Sequence, residues 1–196
     1  MTPVLVLASA SPRRAELLGQ IGVPHVVRPA DIDEARQGGE DAVTYVTRVT
    51  AAKAAVAWER SAGLPVLAAD TVVVLDAELF GKPRDQSEGL AMLGALSGRT
   101  HRVLTAVALQ TRAGRSAALS ETLVTFRPLE AAEQLRYWCT GEPLGKAGGY
   151  AVQGLAAAFI TRLEGSYSGV MGLPLAQTAD LLRAAGVPMW QMGADA

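Results

Sequence analysis

Four segments of this chain carry side chains suited to holding and cleaving a phosphate chain. Ser9-Ala10-Ser11-Pro12-Arg13-Arg14 lies between a branched apolar run, Val4 to Ala8, and the start of a helix. Free amides at a helix N-terminus, two hydroxyls and two guanidiniums together suit an anion. A capped helix with solvated arginines would show the same residues. Asp70-Thr71 follows the apolar run Pro65 to Ala69. A carboxylate there must be paired, hydrogen-bonded or metal-bound, because burying it alone costs several kcal/mol or more. It could hold Mg²⁺ or accept a proton from an attacking water, or it could simply satisfy turn amides. Lys82, stiffened by Pro83, could neutralise a triphosphate or stand as an exposed loop lysine. The stretch Gly145 to Gly154 combines glycines with Lys146, Tyr150 and Gln153; it permits close backbone approach, and it also suits a plain turn.

These segments need a scaffold of alternating strands and helices. The pattern predicts strands at Val4–Ala8, Val26–Arg28, Pro65–Ala69 with an extended Val72–Leu75, and Ala158–Leu163, and a hairpin of 102–110 with 117–126. Helices are expected from Ser11-Pro12 to Gly19 or Gly22, over 40–60, 85–96, 129–139 and Pro174–Ala185, with Gly165 to Gly172 as a loop. The fold class is therefore α/β, with buried strands ending in the loops that carry the chemistry.

Composition removes several other function classes. With 18 basic against 19 acidic residues, the chain lacks the basic excess of a protein that binds nucleic acid. Cys139 is its single cysteine, so no intrachain disulfide or cysteine metal cluster is expected, which suits a reducing compartment. Ala8-Ser9-Ala10 imitates a signal-peptidase site, but without a basic n-region a signal peptide is not expected. No membrane span and a cytoplasmic location follow as expectations. The only histidines, His25 and His101, form no H-E-x-x-H, and there is no P-loop, G-x-G-x-x-G or G-x-S-x-G. Trp58, Trp138 and Trp190 are read as packing residues.

In order along the chain, Leu7-Ala8-Ser9-Ala10-Ser11-Pro12-Arg13-Arg14, Ala69-Asp70-Thr71, Gly81-Lys82-Pro83-Arg84, Ser97-Gly98-Arg99-Thr100-His101, Lys146-Ala147-Gly148 through Gln153-Gly154, and Gly165-Ser166-Tyr167-Ser168 to Gly172-Leu173-Pro174 resemble the Maf-like nucleotide pyrophosphatases. The resemblance runs from about residue 5 to 185. It implies one domain over 1–196, with a mixed twisted sheet, flanking helices and two lobes around a cleft, as in the inosine-triphosphate pyrophosphatase-like (Maf/Ham1) fold. It implies cleavage between the α- and β-phosphates of a nucleoside triphosphate, a divalent cation (Mg²⁺ or Mn²⁺) and a homodimer. By position, Asp70, Lys82 and Lys53 match catalytic residues. Ser9, Ser11, Arg13, Arg14, Thr71 and Gln153 match substrate-binding residues, and Asp70 with Glu34 would hold the metal. Arg13, Thr71 and Gln153 match the branch acting on dTTP and UTP in a house-cleaning role. A 7-methyl-GTP pyrophosphatase, or a nucleotide-binding regulator of septum formation without turnover, are the alternatives. The branch usually carries an acidic residue before Lys-Ala-Gly, where this chain has Gly145.

Overall fold

Branched residues fill the middle of the chain and form the centre of the sheet. The computed structural model describes residues 2–190. In it β1 (Leu5–Leu7), β2 (His25–Val27), β3 (Val66–Leu75), β4 (Glu78–Phe80), β5 (Thr100–Thr111), β6 (Gly114–Phe126) and β7 (Ile160–Glu164) form one sheet. The strand order is β2-β1-β3-β5-β6-β7, with β4 paired to β3. Strands β2 and β3 run parallel to β1, and the remaining pairs are antiparallel. The mixed sheet is as expected; the runs 65–69 and 72–75 are not separate segments. Strand β5 pairs with β3 continuously from Val66 to Val74, so Asp70 lies in mid-strand rather than at a strand end.

The other edge of β3 changes partner. Val66 and Leu67 pair with β1, and Val73 to Leu75 pair with β4. Between them Ala68 to Val72 have no ladder partner on that side among the described residues. Sheet alternation then sends Asp70 to one face and Thr71 to the other.

Helix α2 (Ala42–Trp58) covers the Asp70 face; Asp41 caps it by accepting the Thr44 N–H at 2.7 Å. Ala54 and Ala57 pack on Val6, Val66 and Ala68, while Val46 packs on Val72, Val74 and Leu104. Helices α1 (Pro12–Gln20) and α6 (Leu175–Ala184) pack on the opposite face through Leu17, Leu18 and Leu182 against Leu67, Ala69 and Val107. Helices α3 (Gln86–Leu96) and α4 (Ala131–Cys139) close the far end. Gly89 lets them approach, because a Cβ there would collide with the Trp138 ring. Two local expectations are corrected. Residues Leu155–Phe159 form a 3₁₀ turn before β7, and the 165–172 segment contains a short helix, α5 (Tyr167–Met171). Ser166 Oγ caps α5 by accepting the Gly169 N–H at 3.0 Å. No helix among the described residues is long and apolar enough to cross a membrane.

His101, on β5, is buried beside Tyr150 and Phe126. It is 2% exposed and bonds Tyr150 Oη through Nε2 at 2.8 Å, with Phe126 edge-on at 5.1 Å. Its Nδ1 has no hydrogen-bond partner among the described residues. Burial pushes the imidazole pKa down to about 4, so the ring is neutral at pH 7. The folded state binds fewer protons than the unfolded chain between about pH 6.5 and 4. Stability is therefore full above pH 6.5 and falls as pH drops through this window, by a total approaching about 3 kcal/mol. Most of the window lies above the range in which Glu40, held down to about 2 by its hydrogen bonds to Arg48, takes up its proton. We expect denaturant titrations of wild type to lose stability from pH 6.5 to 4.5, and His101→Phe to lose much of that slope while starting lower at pH 7. Parallel curves for the two proteins would mean that His101 titrates normally.

Candidate active site

Where β3 lacks an edge partner, the α1 loop, the 29–34 loop, the Lys82 loop, the 144–150 segment and α5 enclose a cavity of about 360 Å³. Its walls include Ser9, Ser11, Arg13, Arg14, Glu34, Lys53, Asp70, Thr71 and Lys82. Nine of the ten residues singled out from sequence are thus brought together by segments scattered between residues 9 and 82.

The loop from β1 into α1 turns on Ser9, not Ser11. Ser9 Oγ accepts the Ser11 N–H at 3.2 Å, and the Ser11 side chain makes no capping bond. Ser9 Oγ also accepts from Arg14 Nη1 at 3.1 Å. The same guanidinium donates to Thr71 Oγ1 at 3.2 Å and to the Gly172 carbonyl at 2.7 Å. Arg14 thereby ties the loop, β3 and the end of α5 into one wall. Gly172 has φ +119°, and a Cβ there would stand 3.3 Å from Arg14 Nε, so glycine suits both the backbone and the contact. Thr71 is held in turn by Thr105 Oγ1 at 2.9 Å, which donates onward to the Gly169 carbonyl at 2.8 Å. Burial lowers the Arg14 pKa from the usual arginine value, and nearby Asp70 opposes the shift. Arg13 donates to the Met171 carbonyl at 3.2 Å; burial lowers its pKa too, against the pull of Glu16. Arginine remains charged under both influences.

On the α2 face, Lys53 Nζ donates to Asp70 Oδ1 at 2.7 Å and pairs with Glu34 Oε1 at 2.9 Å. Lys53 and Asp70 are both buried, whereas Glu34 is exposed. Breaking a buried pair by deleting one partner costs about 3–5 kcal/mol, so neither residue is a neutral position. The Glu34 loop is fastened to α2 by Glu40. Its carboxylate pairs with Arg48, and Arg48 also donates to the Ala35 carbonyl at 3.0 Å. Gln37 N–H donates to Glu40 Oε2 at 2.9 Å.

Two carboxylates already share one cation here, so the donor set suits a divalent ion. Asp70 and Glu34 would hold it, with oxygens of a phosphate substrate filling further positions, as is usual for Mg²⁺. Among the described residues no three or more His, Cys, Asp or Glu side chains converge on such an ion. The protein alone does not build a full cage.

Gln153 departs from expectation. It is exposed and lies outside the cavity wall, which contains no Asn or Gln side chain. Ala151 and Val152 turn inward instead, and Gly154 packs against the Glu142 carboxylate. Lys146, Tyr150 and Gly172, which the sequence placed in candidate segments without assigning them a role, also line the wall. The one available signal was a lysine and a tyrosine within a run of glycines. The end of the cavity lined by Val73, Val103, Tyr150, Val170 and Met171 is apolar and suits a flat ring.

Comparison with known proteins agrees with this geometry. A protein from Saccharophagus degradans named dTTP/UTP pyrophosphatase is 51% identical over 191 residues, covering 95% of this chain and 91% of its own. One of the same name from Cupriavidus metallidurans is 52% identical over 198 residues, with 95% and 99% covered. In structure, a HAM1 protein from Coxiella burnetii superposes with a TM-score of 0.51 at 17% identity, over 93% of this chain and all 100% of that one. The Staphylococcus aureus Ham1 protein gives 0.50 at 11% identity, over 92% and 98%. Such low identities establish a shared Ham1-like fold. The Maf-like protein family matches residues 4–185, and this chain belongs to it.

Proposed function

We propose that this chain is a nucleoside-triphosphate pyrophosphatase that hydrolyses dTTP and UTP to the monophosphate and pyrophosphate. The observation that carries the reading is a single cavity in which Asp70 faces an arginine-rich strand-to-helix loop. The names of the relatives at 51% and 52% identity support the substrate class. Arg13 and Arg14, with Lys82, bind and neutralise the phosphate chain. Ser9 and Thr71 orient Arg14, and Ser11 presents the loop backbone. Asp70, paired with the Lys53 ammonium at 2.7 Å, accepts a proton from the water that attacks the α-phosphorus. A new P–O bond forms as the bond to the β-phosphate oxygen breaks. Pyrophosphate leaves with the electron pair, and the proton passes from Asp70 to solvent. A divalent cation held by Asp70 and Glu34 would add charge neutralisation on the phosphates. The reading includes a homodimer in the cytoplasm, supported by the family resemblance and the single cysteine; light scattering of the purified chain tests the dimer.

With Mg²⁺ present, the first products should be monophosphate and pyrophosphate, resolved by phosphorus NMR. Nucleoside diphosphate with orthophosphate would overturn the assignment. Asp70→Asn should lower kcat by about 100-fold or more while circular dichroism shows a folded protein. Wild-type turnover by that variant would make the carboxylate structural.

Base discrimination falls to the apolar end of the cavity, since Gln153 lies outside it. Gln153→Glu should leave the ratio of UTP to purine-triphosphate kcat/KM within about 2-fold of wild type, because no buried hydrogen bond to a base is lost. A shift of 10-fold or more toward purines would place the amide on the base and require the 141–154 segment to close over bound nucleotide.

A further inference from the structure

Lys146 is a cavity-wall cation with no role in the account above. Its ammonium donates to the Leu144 carbonyl at 3.2 Å and forms no ion pair among the described residues. Burial lowers its pKa, the Arg13 charge lowers it further, and Glu142 pulls the other way. Glu142 does not turn to meet it. That carboxylate accepts the Leu155 N–H at 2.7 Å, the Ala156 N–H at 3.0 Å and the Tyr137 hydroxyl at 2.9 Å. Two like charges thus line one cavity, and neither pairs with a carboxylate among the described residues.

The backbone holds this arrangement in place. Gly148 N–H donates to the Gly81 carbonyl at 2.9 Å, joining the Lys146 segment to the Lys82 loop. Gly149 N–H closes a turn onto the Lys146 carbonyl at 3.0 Å. Gly148 has φ +68°, and a Cβ there would stand 2.9 Å from Val73 Cγ2, so the segment lies directly on β3. A mobile lysine could swing into solvent, but this one has a short, pinned base and a half-buried stem. An anion between Lys146 and Arg13 relieves the repulsion and gives both side chains a partner.

We propose that Lys146 is a phosphate-binding residue, sharing with Arg13 one anionic group of a bound triphosphate or pyrophosphate. Its substrate identity rests on the pyrophosphatase reading; its anion chemistry does not. The cavity then counts Arg13, Arg14, Lys53, Lys82 and Lys146 against Glu34 and Asp70, a net positive wall suited to a polyanion.

The test uses the full chain, inorganic pyrophosphate as the binding probe in calorimetry, and dTTP in steady-state assays. Lys146→Met keeps the apolar stem and removes the charge. It should weaken pyrophosphate binding by about 10-fold, raise KM for dTTP by a similar factor with a smaller effect on kcat, and flatten the salt dependence of binding. Lys146→Arg should recover most of the loss. The melting temperature of unliganded Lys146→Met should equal or exceed that of wild type, because a repulsion is removed; this separates lost binding from lost folding. Unchanged pyrophosphate affinity and KM in Lys146→Met would overturn the proposal, as would a wild type that does not bind pyrophosphate. Binding of pyrophosphate that depends on Lys146 in a protein unable to cleave any nucleoside triphosphate would uphold it and defeat the pyrophosphatase reading.

Discussion

Strand β3 changes partner along one edge, and every polar feature of the site is arranged around that break. Strand β1 pairs it at Val66 and Leu67, β4 pairs it from Val73, and among the described residues nothing pairs with the five residues between on that side. In an uninterrupted sheet Asp70 and Thr71 would be separated by the sheet itself, since neighbouring side chains point to opposite faces. The opening lets both reach one cavity. Lys53 and Glu34 approach Asp70 from the α2 side, while Arg14 reaches Thr71 from the α1 side. Continuous pairing to β5 on the other edge keeps the interrupted strand straight and its residues in register. The ligand crevice of open α/β sheets arises where strand connections diverge. Here a comparable opening comes from two short strands sharing one long neighbour.

The charges around that opening are balanced unevenly. Asp70 and Lys53 neutralise each other at 2.7 Å, and Glu34 takes the remaining side of the ammonium. The arginines, by contrast, are held by hydroxyls and carbonyls: Ser9, Thr71, Met171 and Gly172 accept from them, and no carboxylate does. Neutral acceptors orient a guanidinium without cancelling its charge, so this wall of the cavity stays positive. That is electrostatic preorganisation, in which the donors stand in place before the ligand arrives. Partial burial strengthens it, because a charge in a drier wall acts more strongly on an anion than the same charge in water.

Local patterns revealed much of this design and missed its geometry for definite reasons. The apolar run before Ser9 and the serine-proline helix start placed the strand-to-helix loop correctly, since strand periodicity and helix starts are written in adjacent residues. Asp70 was recognisable as a carboxylate flanked by apolar residues, but its mid-strand position depends on β5, about 35 residues further along, covering both halves of the strand. The pairing of Lys53 with Asp70 and Glu34 was visible only as three separate residues named by resemblance. Gln153 shows a placement that spacing did not reveal. Its neighbours Ala151 and Val152 take the inward positions, and Glu142 fixes the following turn by accepting the Leu155 and Ala156 amides. A side chain's direction within a glycine-rich segment is set by such tertiary contacts, which spacing does not encode.

Three flexible-looking segments meet at the cavity, and each is immobilised by a different device. The β1–α1 loop is held by Arg14, a side chain that also faces the ligand space. The Glu34 loop is held from outside the cavity by the Glu40–Arg48 pair, so its anchoring does not compete with binding. The Lys146 segment is held through its backbone, by the Gly148 bond to Gly81 and the contact of Gly148 with Val73. Only the first device makes an anchor of a charged side chain in the cavity wall. Replacing Arg14 would therefore disturb loop position and ligand charge together, whereas the other two segments keep their anchors and their functional side chains on separate residues. That separation leaves the anchoring of these two segments to groups other than the Glu34 and Lys146 side chains.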